Sequence, residues 1–204
     1  EEKILMLAIE SKDQNQMINA LKDVISGCTE GKIKPDTLKS YDLEYIFLKL
    51  RCKSVGENAK ITVKCNSCET RNSIDIPLDE IEVKGEITEN SNIKLTDDVG
   101  MILKHPNIKD IQKSLSVKGS DQDLGLASVI SMIDSIYDAD DIHPASNETQ
   151  RSLTDFLESL SSDQFKKIYE FVSKMPKVSY TARFDCSKCK ETNDVVLEGL
   201  QNFF

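Results

Sequence analysis

Hydrophobic residues near the start of the chain recur with the period of an α-helix. Met17, Leu21, Val24, Ile25 and Cys28 are spaced by three, four or one residues, which places all five on one face of a predicted helix. We expect that face to be buried, because an amphipathic helix turns its apolar stripe toward a core.

A second helix is predicted directly after Ser40, which we interpret as its N-cap because a serine side chain can accept from the first free N–H groups of a helix. Leu43, Ile46, Phe47 and Leu50 form the apolar stripe of this helix. The two patterns together predict a helical start to the chain.

The period then changes from 3.6 to 2, which is typical of strands with one buried face. Ile61 and Val63 alternate with polar residues before the sequence CNSC, and Ile74, Ile76 and Leu78 alternate after it. The apolar pieces IEV, IKL and VGMIL that follow are separated by Asn, Gly and Asp, so they predict further small antiparallel strands.

Helical spacing returns beyond Pro106. Leu126, Val129, Ile130 and Ile133 are placed on one predicted helical face. The polar stretches at 120–123 and 138–149 are interpreted as loops, and alternation returns before the sequence CSKC near the C-terminus.

The clearest helix is predicted for SLSSDQFKKIYEFVSKMP. Ser161 and Gln164 fit a capping box at its start, and Pro176 ends it. Its core face is predicted to consist of Phe165, Ile168, Val172 and Met175.

These alternating periods predict an α+β protein with helical-bundle-like N-terminal and middle segments and small antiparallel β-hairpins. The predicted segments are a helical segment at 1–58, β-hairpins with the first cysteine pair at 59–106, a helical insertion at 107–176, and a hairpin with the second cysteine pair and a C-terminal tail at 177–204. We expect the four segments to form one composite domain.

Composition narrows the class of protein. The chain has 204 residues, of which 39% are hydrophobic and 30% charged, as in an ordinary folded protein. The formal net charge of -9 disfavours nonspecific binding to nucleic acid or to anionic membranes. The longest apolar run near the start, ILMLAI, is far shorter than a membrane span. A cytosolic protein with reduced thiols is therefore expected.

Each predicted hairpin around a cysteine pair carries a Cys-x-x-Cys turn. Such a turn presents two thiolates to one side, and two turns that face each other supply four sulfurs in a tetrahedron. We therefore predict that Cys65, Cys68, Cys186 and Cys189 ligate one structural Zn²⁺ ion. The hairpins would then form a split four-cysteine zinc ribbon that clamps the end of the chain onto its middle.

Other uses of these cysteines fit less well. A thioredoxin-like redox pair is disfavoured because neither turn lies where a strand runs into a helix. An iron–sulfur cluster also takes four cysteines, so the sequence leaves zinc and iron open, although hairpin turns favour a single tetrahedral ion. Cys28 and Cys52 lie within helical patterns and are expected to be buried, inert thiols.

Basic residues surround both cysteine pairs, which raises the alternative of a nucleic-acid-binding zinc ribbon. They are Arg51, Lys53, Lys60, Lys64 and Arg71 at the first pair and Lys177, Arg183, Lys188 and Lys190 at the second. A zinc ion with four thiolates carries a net charge of about -2, which nearby cations would offset. Aromatic residues that could stack on bases do not interleave with these cations, so nucleic-acid binding remains the less favoured reading.

Catalytic motifs are absent from the sequence. It contains neither a glycine-rich phosphate loop, nor a Gly-x-Ser-x-Gly turn, nor a metalloprotease helix. The two histidines, His105 and His143, have no partner motif and are expected at the surface. Four thiolates would leave a zinc ion no open position for a substrate, so the protein is not expected to be an enzyme.

Several stretches resemble one known family. KILMLAIESKDQNQMINALKDVISGC, YDLEYIFLKLRCKSVGE with VKCNSC, and the closing MPKVSYTARFDCSKCKETNDVVLEGLQNFF are similar to the T4-like bacteriophage baseplate hub and hub-assembly proteins. The helix motif of that family matches Asp42, Glu44, Tyr45, Phe47, Leu48, Leu50, Arg51, Ser54 and Gly56, and the closing motif matches Glu198, Gly199, Leu200, Phe203 and Phe204. The resemblance covers most of the chain and is weakest between about 79 and 125.

The resemblance implies a structural or assembly role in the central hub of a phage tail baseplate, without catalysis. It implies other baseplate hub proteins as partners, and it leaves self-association open. Its expected location is the host cytoplasm during assembly and the tail baseplate of the virion. Phe203 and Phe204 are expected to fold back onto the core, with insertion into a partner protein as the alternative, because each gains about 1.5–3 kcal/mol when fully buried.

Overall fold

The computed structural model of the protein describes residues 13–87, 90–117 and 119–203. In chain order its helices are α1 (Gln14–Cys28), α2 (Ser40–Ser54), α3 (Ile108–Leu115), α4 (Asp121–Met132), α5 (Gln150–Glu158) and α6 (Ser162–Lys174). Its strands are β1 (Asn58–Lys64), β2 (Arg71–Pro77), β3 (Glu82–Lys84), β4 (Asn90–Lys94), β5 (Gly100–Lys104), β6 (Ile133–Tyr137), β7 (Ile142–Pro144), β8 (Lys177–Asp185) and β9 (Thr192–Glu198).

All strand pairs among the described residues are antiparallel, which confirms the predicted α+β class. The chain divides into two compact units. The first contains the described residues 13–35, 40–84 and 176–203, and the second contains the described residues 36–39, 85–87, 90–117 and 119–175. Within the described residues, no helix is long and apolar enough to cross a lipid bilayer.

Helix α1 in the first unit begins at an aspartate cap. Asp13 Oδ1 accepts hydrogen bonds from the N–H groups of Asn15 and Gln16, which would otherwise lack partners inside the helix. The buried face is formed by Ile18, Ala20, Leu21 and Ile25. This face is rotated slightly from the predicted apolar stripe, and Cys28 at the end of the helix is exposed. The prediction of a buried thiol at this position is therefore wrong.

Helix α2 is buried on more than one side. Leu43 and Phe47 of the predicted stripe are buried, and Leu48 on a neighbouring face is completely inaccessible. Cys52 is also buried, as predicted. The helix begins at Ser40 itself, one residue earlier than an N-cap at this position would allow. Every residue from Tyr41 to Cys52 is buried or half-buried, so the helix has no single fully exposed face.

Two sheets in the first unit carry the cysteine pairs. Strands β1 and β2 form a hairpin in which Ile61 pairs with Ile74, and β1 alternates strictly between exposed and buried residues, as predicted. The second sheet has the order β3-β8-β9. In it Tyr180 pairs with Leu197 and Ala182 with Val195.

The C-terminal tail packs into the first unit. A short 3-10 helix, Leu200–Phe203, follows Gly199, whose positive φ of 77° turns the chain after β9. Phe203 is fully buried, which confirms the expected docking, whereas Phe204 lies outside the described residues.

The second unit is built on a four-stranded sheet with the order β4-β5-β6-β7. Helices α4, α5 and α6 contribute to a core with this sheet, and its buried members include Met101, Leu103, Ile133, Leu157 and Ile168. Because strand β5 lies between β4 and β6, its apolar residues occupy the centre of that core.

Strands β6 and β7 lie inside the stretch predicted as a helical insertion. Ile133 was placed on a helical face, but α4 ends at Met132 and Ile133 begins a strand that pairs with β5. The sequence IDSIY at 133–137 does not alternate apolar and polar residues, so pairing with β5 and β7, and not the local pattern, decides that this segment is a strand. The predicted loop at 120–123 is instead a capping box, in which Ser120 and Asp123 start α4. The remaining segment limits stay predictions.

Helix α6 has the predicted capping box of Ser161 and Gln164. Its buried face is centred on Ile168 and Phe171. Phe165, which was predicted to belong to the core face, is 37% exposed.

One histidine lies against that buried face. His105 is only 3% exposed and stacks on Phe171 with ring centroids 5.5 Å apart. The prediction of a surface position is therefore wrong for this histidine, because it directly follows β5 and packs against Phe171 of α6.

Candidate metal centre

The two Cys-x-x-Cys turns lie at the tips of two hairpins in the first unit. The first knuckle, residues 65–70, joins β1 to β2, and the second knuckle, residues 186–191, joins β8 to β9. Both hairpins keep an even register up to their tips, where Lys64 pairs with Arg71 and Asp185 with Thr192. The two hairpins therefore place their cysteine pairs at equivalent positions, directly beyond the last paired residues.

Hydrogen bonds close the first knuckle into a tight turn. The Cys65 N–H donates to the carbonyl oxygen of Thr70 at 2.9 Å, and the Glu69 N–H donates to the carbonyl oxygen of Cys65 at 3.0 Å. Glu69 has a positive φ of 55°, a conformation that costs a residue with a side chain about 1 kcal/mol or more. The turn requires this conformation directly after the second cysteine.

The second knuckle repeats this backbone conformation. The Cys186 N–H donates to the carbonyl oxygen of Glu191 at 2.9 Å, and the Lys190 N–H donates to the carbonyl oxygen of Cys186 at 3.0 Å. Lys190 has a positive φ of 62°, like the corresponding glutamate in the first knuckle. The two turns therefore share the same backbone hydrogen bonds and the same positive-φ position.

The structure brings all four predicted cysteines together. Their Sγ atoms lie within 4.8 Å of one another, and the distances from Cys65 to Cys189 and from Cys68 to Cys186 are both 3.6 Å. These distances exceed the 2.05 Å of a disulfide, and all four are free cysteines. Zn–S bonds of about 2.3 Å in a tetrahedron require sulfurs about 3.8 Å apart, so the arrangement fits one zinc ion.

Donor groups point at two of the sulfurs. The N–H of Cys189, with that of Lys188 and the neighbouring thiols, lowers the pKa of Cys186 to about 6. The hydroxyl and the N–H of Thr70 lower the pKa of Cys68, whose Sγ lies 3.2 Å from Thr70 Oγ1. Because a metal ligand must be a thiolate, these donors favour the form that binds an ion.

Crowding acts the other way at the fourth thiol. The Glu191 N–H lowers the pKa of Cys189, but the thiols of Cys68, Cys186 and Cys65 together with burial raise it to about 12. The thiol of Cys189 therefore retains its proton at neutral pH. Binding of a divalent cation by this thiol would release that proton and would strengthen as the pH rises.

The knuckles are unevenly exposed. Cys65 and Cys186, the first cysteine of each pair, are buried, whereas Cys68 is half-buried and Cys189 is exposed. An ion held by the four sulfurs would thus be reached from the side of the second cysteines. Among the described residues this is the one group of three or more potential metal ligands, and Cys28 and Cys52 lie outside it.

Several of the basic residues around the cysteines face acids on the paired strand. Lys60 lies 4.0 Å from Asp75 across the first hairpin. In the second sheet, Lys177 Nζ lies 3.4 Å from Glu198. These exposed pairs reduce the positive field that a nucleic acid would meet.

The structure also reveals two site residues that the sequence interpretation missed. Asn72 and Asn193 are both buried, and each contacts the knuckle of the opposite hairpin. Each follows the first cysteine of its pair by seven residues, so CNSCETRN and CSKCKETN share the pattern Cys-x-x-Cys-x-x-x-Asn. This repeated asparagine could have indicated both site residues, because it extends the similarity of the two turns beyond the cysteines.

Comparison with known protein families gives a match that covers the whole chain. A family model described as T4 bacteriophage base plate protein matches residues 1–204. No curated protein and no solved structure matches the chain. The family match confirms the resemblance to T4-like baseplate proteins.

Proposed function

This chain belongs to the T4 bacteriophage base plate protein family, and from that premise we propose that it is a non-enzymatic structural or assembly component of the central hub of the tail baseplate. Membership of the family makes it a phage baseplate protein with other phage proteins as partners. The hub position, the assembly in the host cytoplasm and the absence of catalysis belong to the proposal.

We further propose that Cys65, Cys68, Cys186 and Cys189 hold one structural Zn²⁺ ion. The observation that carries this is the cluster of four sulfurs within 4.8 Å. Zinc would supply only a fixed tetrahedral crosslink there, because four thiolates leave it no open position. The cysteines would bind it, and the N–H groups around Cys186 would offset the negative charge of the site.

Such a crosslink has a clear mechanical consequence for the first unit. It would join the tip of the β1–β2 hairpin to the tip of the β8–β9 hairpin, which are 118 to 124 residues apart along the chain. A link between distant segments restricts the unfolded chain more than a link between near ones. A component of a large assembly gains from it a unit that keeps its shape when neighbouring proteins bind.

The role in the particle is tested by quantitative mass spectrometry of purified phage particles and of lysates from infected cells. A fixed small ratio to baseplate proteins in the particles is expected for a structural hub subunit. Abundance in lysates with loss from particles would identify a departing assembly factor. Absence from both, in a phage that encodes this chain, would contradict the baseplate role.

The zinc site is tested separately on the purified protein. Elemental analysis should find one zinc per chain, and Cys186→Ser should abolish it. The control is Cys28→Ser, because Cys28 is an exposed cysteine outside the cluster and its loss should leave the metal content unchanged. Full metal content in Cys186→Ser would refute the ligand assignment.

A further inference from the structure

Two buried asparagines occupy equivalent positions behind the two knuckles. Asn72 is 6% exposed and Asn193 is 2% exposed. A buried side-chain amide carries both a donor group and an acceptor group, and each must find a partner inside the protein. Where those partners lie therefore shows what the two asparagines hold together.

Asn72 connects its own knuckle to the opposite one. Its Nδ2 donates to the carbonyl oxygen of Thr70 at 2.8 Å, within the first knuckle. Its Oδ1 accepts from the N–H of Ser187 at 2.8 Å, in the second knuckle. The same Nδ2 also lies 3.7 Å from Cys186 Sγ, so this amide reaches a sulfur of the other hairpin.

Asn193 repeats the two hydrogen bonds to backbone groups with the knuckles exchanged. Its Nδ2 donates to the carbonyl oxygen of Glu191 at 2.8 Å, within the second knuckle. Its Oδ1 accepts from the N–H of Asn66 at 2.8 Å, in the first knuckle. The four hydrogen bonds are thus related by a pseudo-two-fold exchange of the two hairpins.

We propose that Asn72 and Asn193 form a reciprocal amide latch that holds the two knuckles together and positions the four sulfurs for a metal ion. This inference rests on the proposed metal-binding role of the cysteines. The N–H groups that the latch binds belong to Asn66 and Ser187, which directly follow Cys65 and Cys186. The latch therefore acts one residue away from a ligand in each knuckle.

The chemistry of the amide suits this position. The latch is neutral, so it adds no charge to a site that would carry a net charge of about -2 with zinc bound. None of its four hydrogen bonds requires the metal as a partner, because all of them join protein groups. An ion then meets sulfurs that are already gathered, and less conformational freedom is lost when it binds.

The first test measures metal affinity in four variants. Asn72→Ala and Asn193→Ala each remove one half of the latch, and the double variant removes both. The control is Asn66→Ala, because it deletes an exposed side chain in a knuckle and keeps the backbone N–H that Asn193 binds. All variants are titrated with Co²⁺, whose absorption reports tetrahedral thiolate ligation, and with Zn²⁺ against a chelating dye.

Each single latch variant should bind Zn²⁺ about 10- to 100-fold more weakly than the wild type, as is usual when a group that orients a metal ligand is removed. The double variant should be weaker than either single variant, and Asn66→Ala should match the wild type. Circular dichroism is used to confirm that each variant is folded. If the double variant fails to fold, the two single variants decide.

The second test follows the latch itself by amide hydrogen exchange, with and without metal. Asn72→Ala should accelerate exchange of the Ser187 N–H and leave that of Asn66 protected. Asn193→Ala should do the reverse. A general loss of stability would accelerate both N–H groups in both variants, so the crossed pattern separates a latch from a merely stabilising role.

The outcomes distinguish this inference from the function on which it rests. A wild-type protein that binds no metal would overturn the zinc site, and the crossed exchange pattern would still test whether the asparagines join the knuckles. Tight binding in the wild type with unchanged affinity in both alanine variants would overturn the latch alone. Equal acceleration of both N–H groups in each variant would overturn it as well.

Discussion

Cys65 Sγ and Cys189 Sγ lie 3.6 Å apart, although 124 positions separate the two residues in the chain. The other diagonal of the site, from Cys68 to Cys186, has the same length. Two hairpins that are distant in sequence thus contribute to one cluster of sulfurs. Stability of the first unit should consequently depend on what the cluster binds.

Replacing one ligand should therefore cost both metal and stability. Cys65→Ser is expected to lower the free energy of unfolding by several kcal/mol, since structural zinc binding is coupled to folding. Chemical denaturation with and without a chelator measures the effect, and the chelator should destabilise the wild type but barely change the variant. Unchanged stability and metal content in Cys65→Ser would refute the site, while Cys28→Ser serves as the neutral control.

The buried carboxyl group of Glu44 should make stability depend on pH. Its Oε2 accepts from the Leu200 N–H at 3.3 Å, but burial dominates and raises the pKa of Glu44 to about 7 from its usual 4.5. The folded state therefore holds this proton more tightly than the unfolded state. The resulting stabilisation is complete below about pH 4.5 and is lost as the pH rises through about 7.

The size of that change follows from the shift and amounts to about 3 kcal/mol at most. Glu44→Gln keeps the shape of the side chain and cannot ionise, so it should flatten this part of the profile and exceed the wild type in stability at pH 8. Urea titrations from pH 5 to 8 test this, with the exposed Glu82→Gln as control. A wild-type profile in Glu44→Gln would contradict the prediction.

Docking of the C-terminal tail should contribute strongly to the stability of the first unit. Phe203 is fully buried, and its replacement by alanine is expected to cost about 3–5 kcal/mol because it removes apolar contacts and leaves a cavity. Val196→Ala is the control: this residue is 60% exposed on β9, and its truncation should change stability by less than about 0.5 kcal/mol. Equal effects of the two variants would show that the tail does not dock as described.

Nucleic-acid binding should be absent or weak. The net charge of -9 opposes it, and Lys60 and Lys177 each lie near an acid on the neighbouring strand. Fluorescence anisotropy with short DNA and RNA at low salt should show no saturable binding. Saturable binding that weakens steeply with added salt, and is lost in a Lys188→Glu, Lys190→Glu double variant, would instead favour the alternative of a nucleic-acid-binding zinc ribbon.

Much of the fold could be predicted from local pattern. The change from helical to alternating spacing located β1 and β2 correctly, because a strand with one buried face must alternate. The capping box at Ser161 located the start of α6, because it satisfies N–H groups within one turn of chain. The repeated Cys-x-x-Cys turn pointed to the four sulfurs, since thiolates at that spacing are suited to a shared ion.

Other features were decided only by tertiary contacts. Ile133 fits a helical stripe, yet it begins β6 because β5 offers it a partner strand that the local sequence cannot reveal. Cys28 fits the face of α1, yet it is exposed because the core meets that helix on a slightly rotated face. His105 was predicted at the surface, yet it is buried because it stacks on the ring of Phe171, which is distant in sequence.

The sequence by itself determined which residues can gather at the hairpin tips, because residue type and spacing settle what a turn presents. Only the tertiary structure decided that Asn72 and Asn193 cross from one knuckle to the other. Their hydrogen bonds join atoms 115 and 127 residues apart in the chain. Such pairings arise from how two hairpins dock, and local propensity and period carry no information about docking.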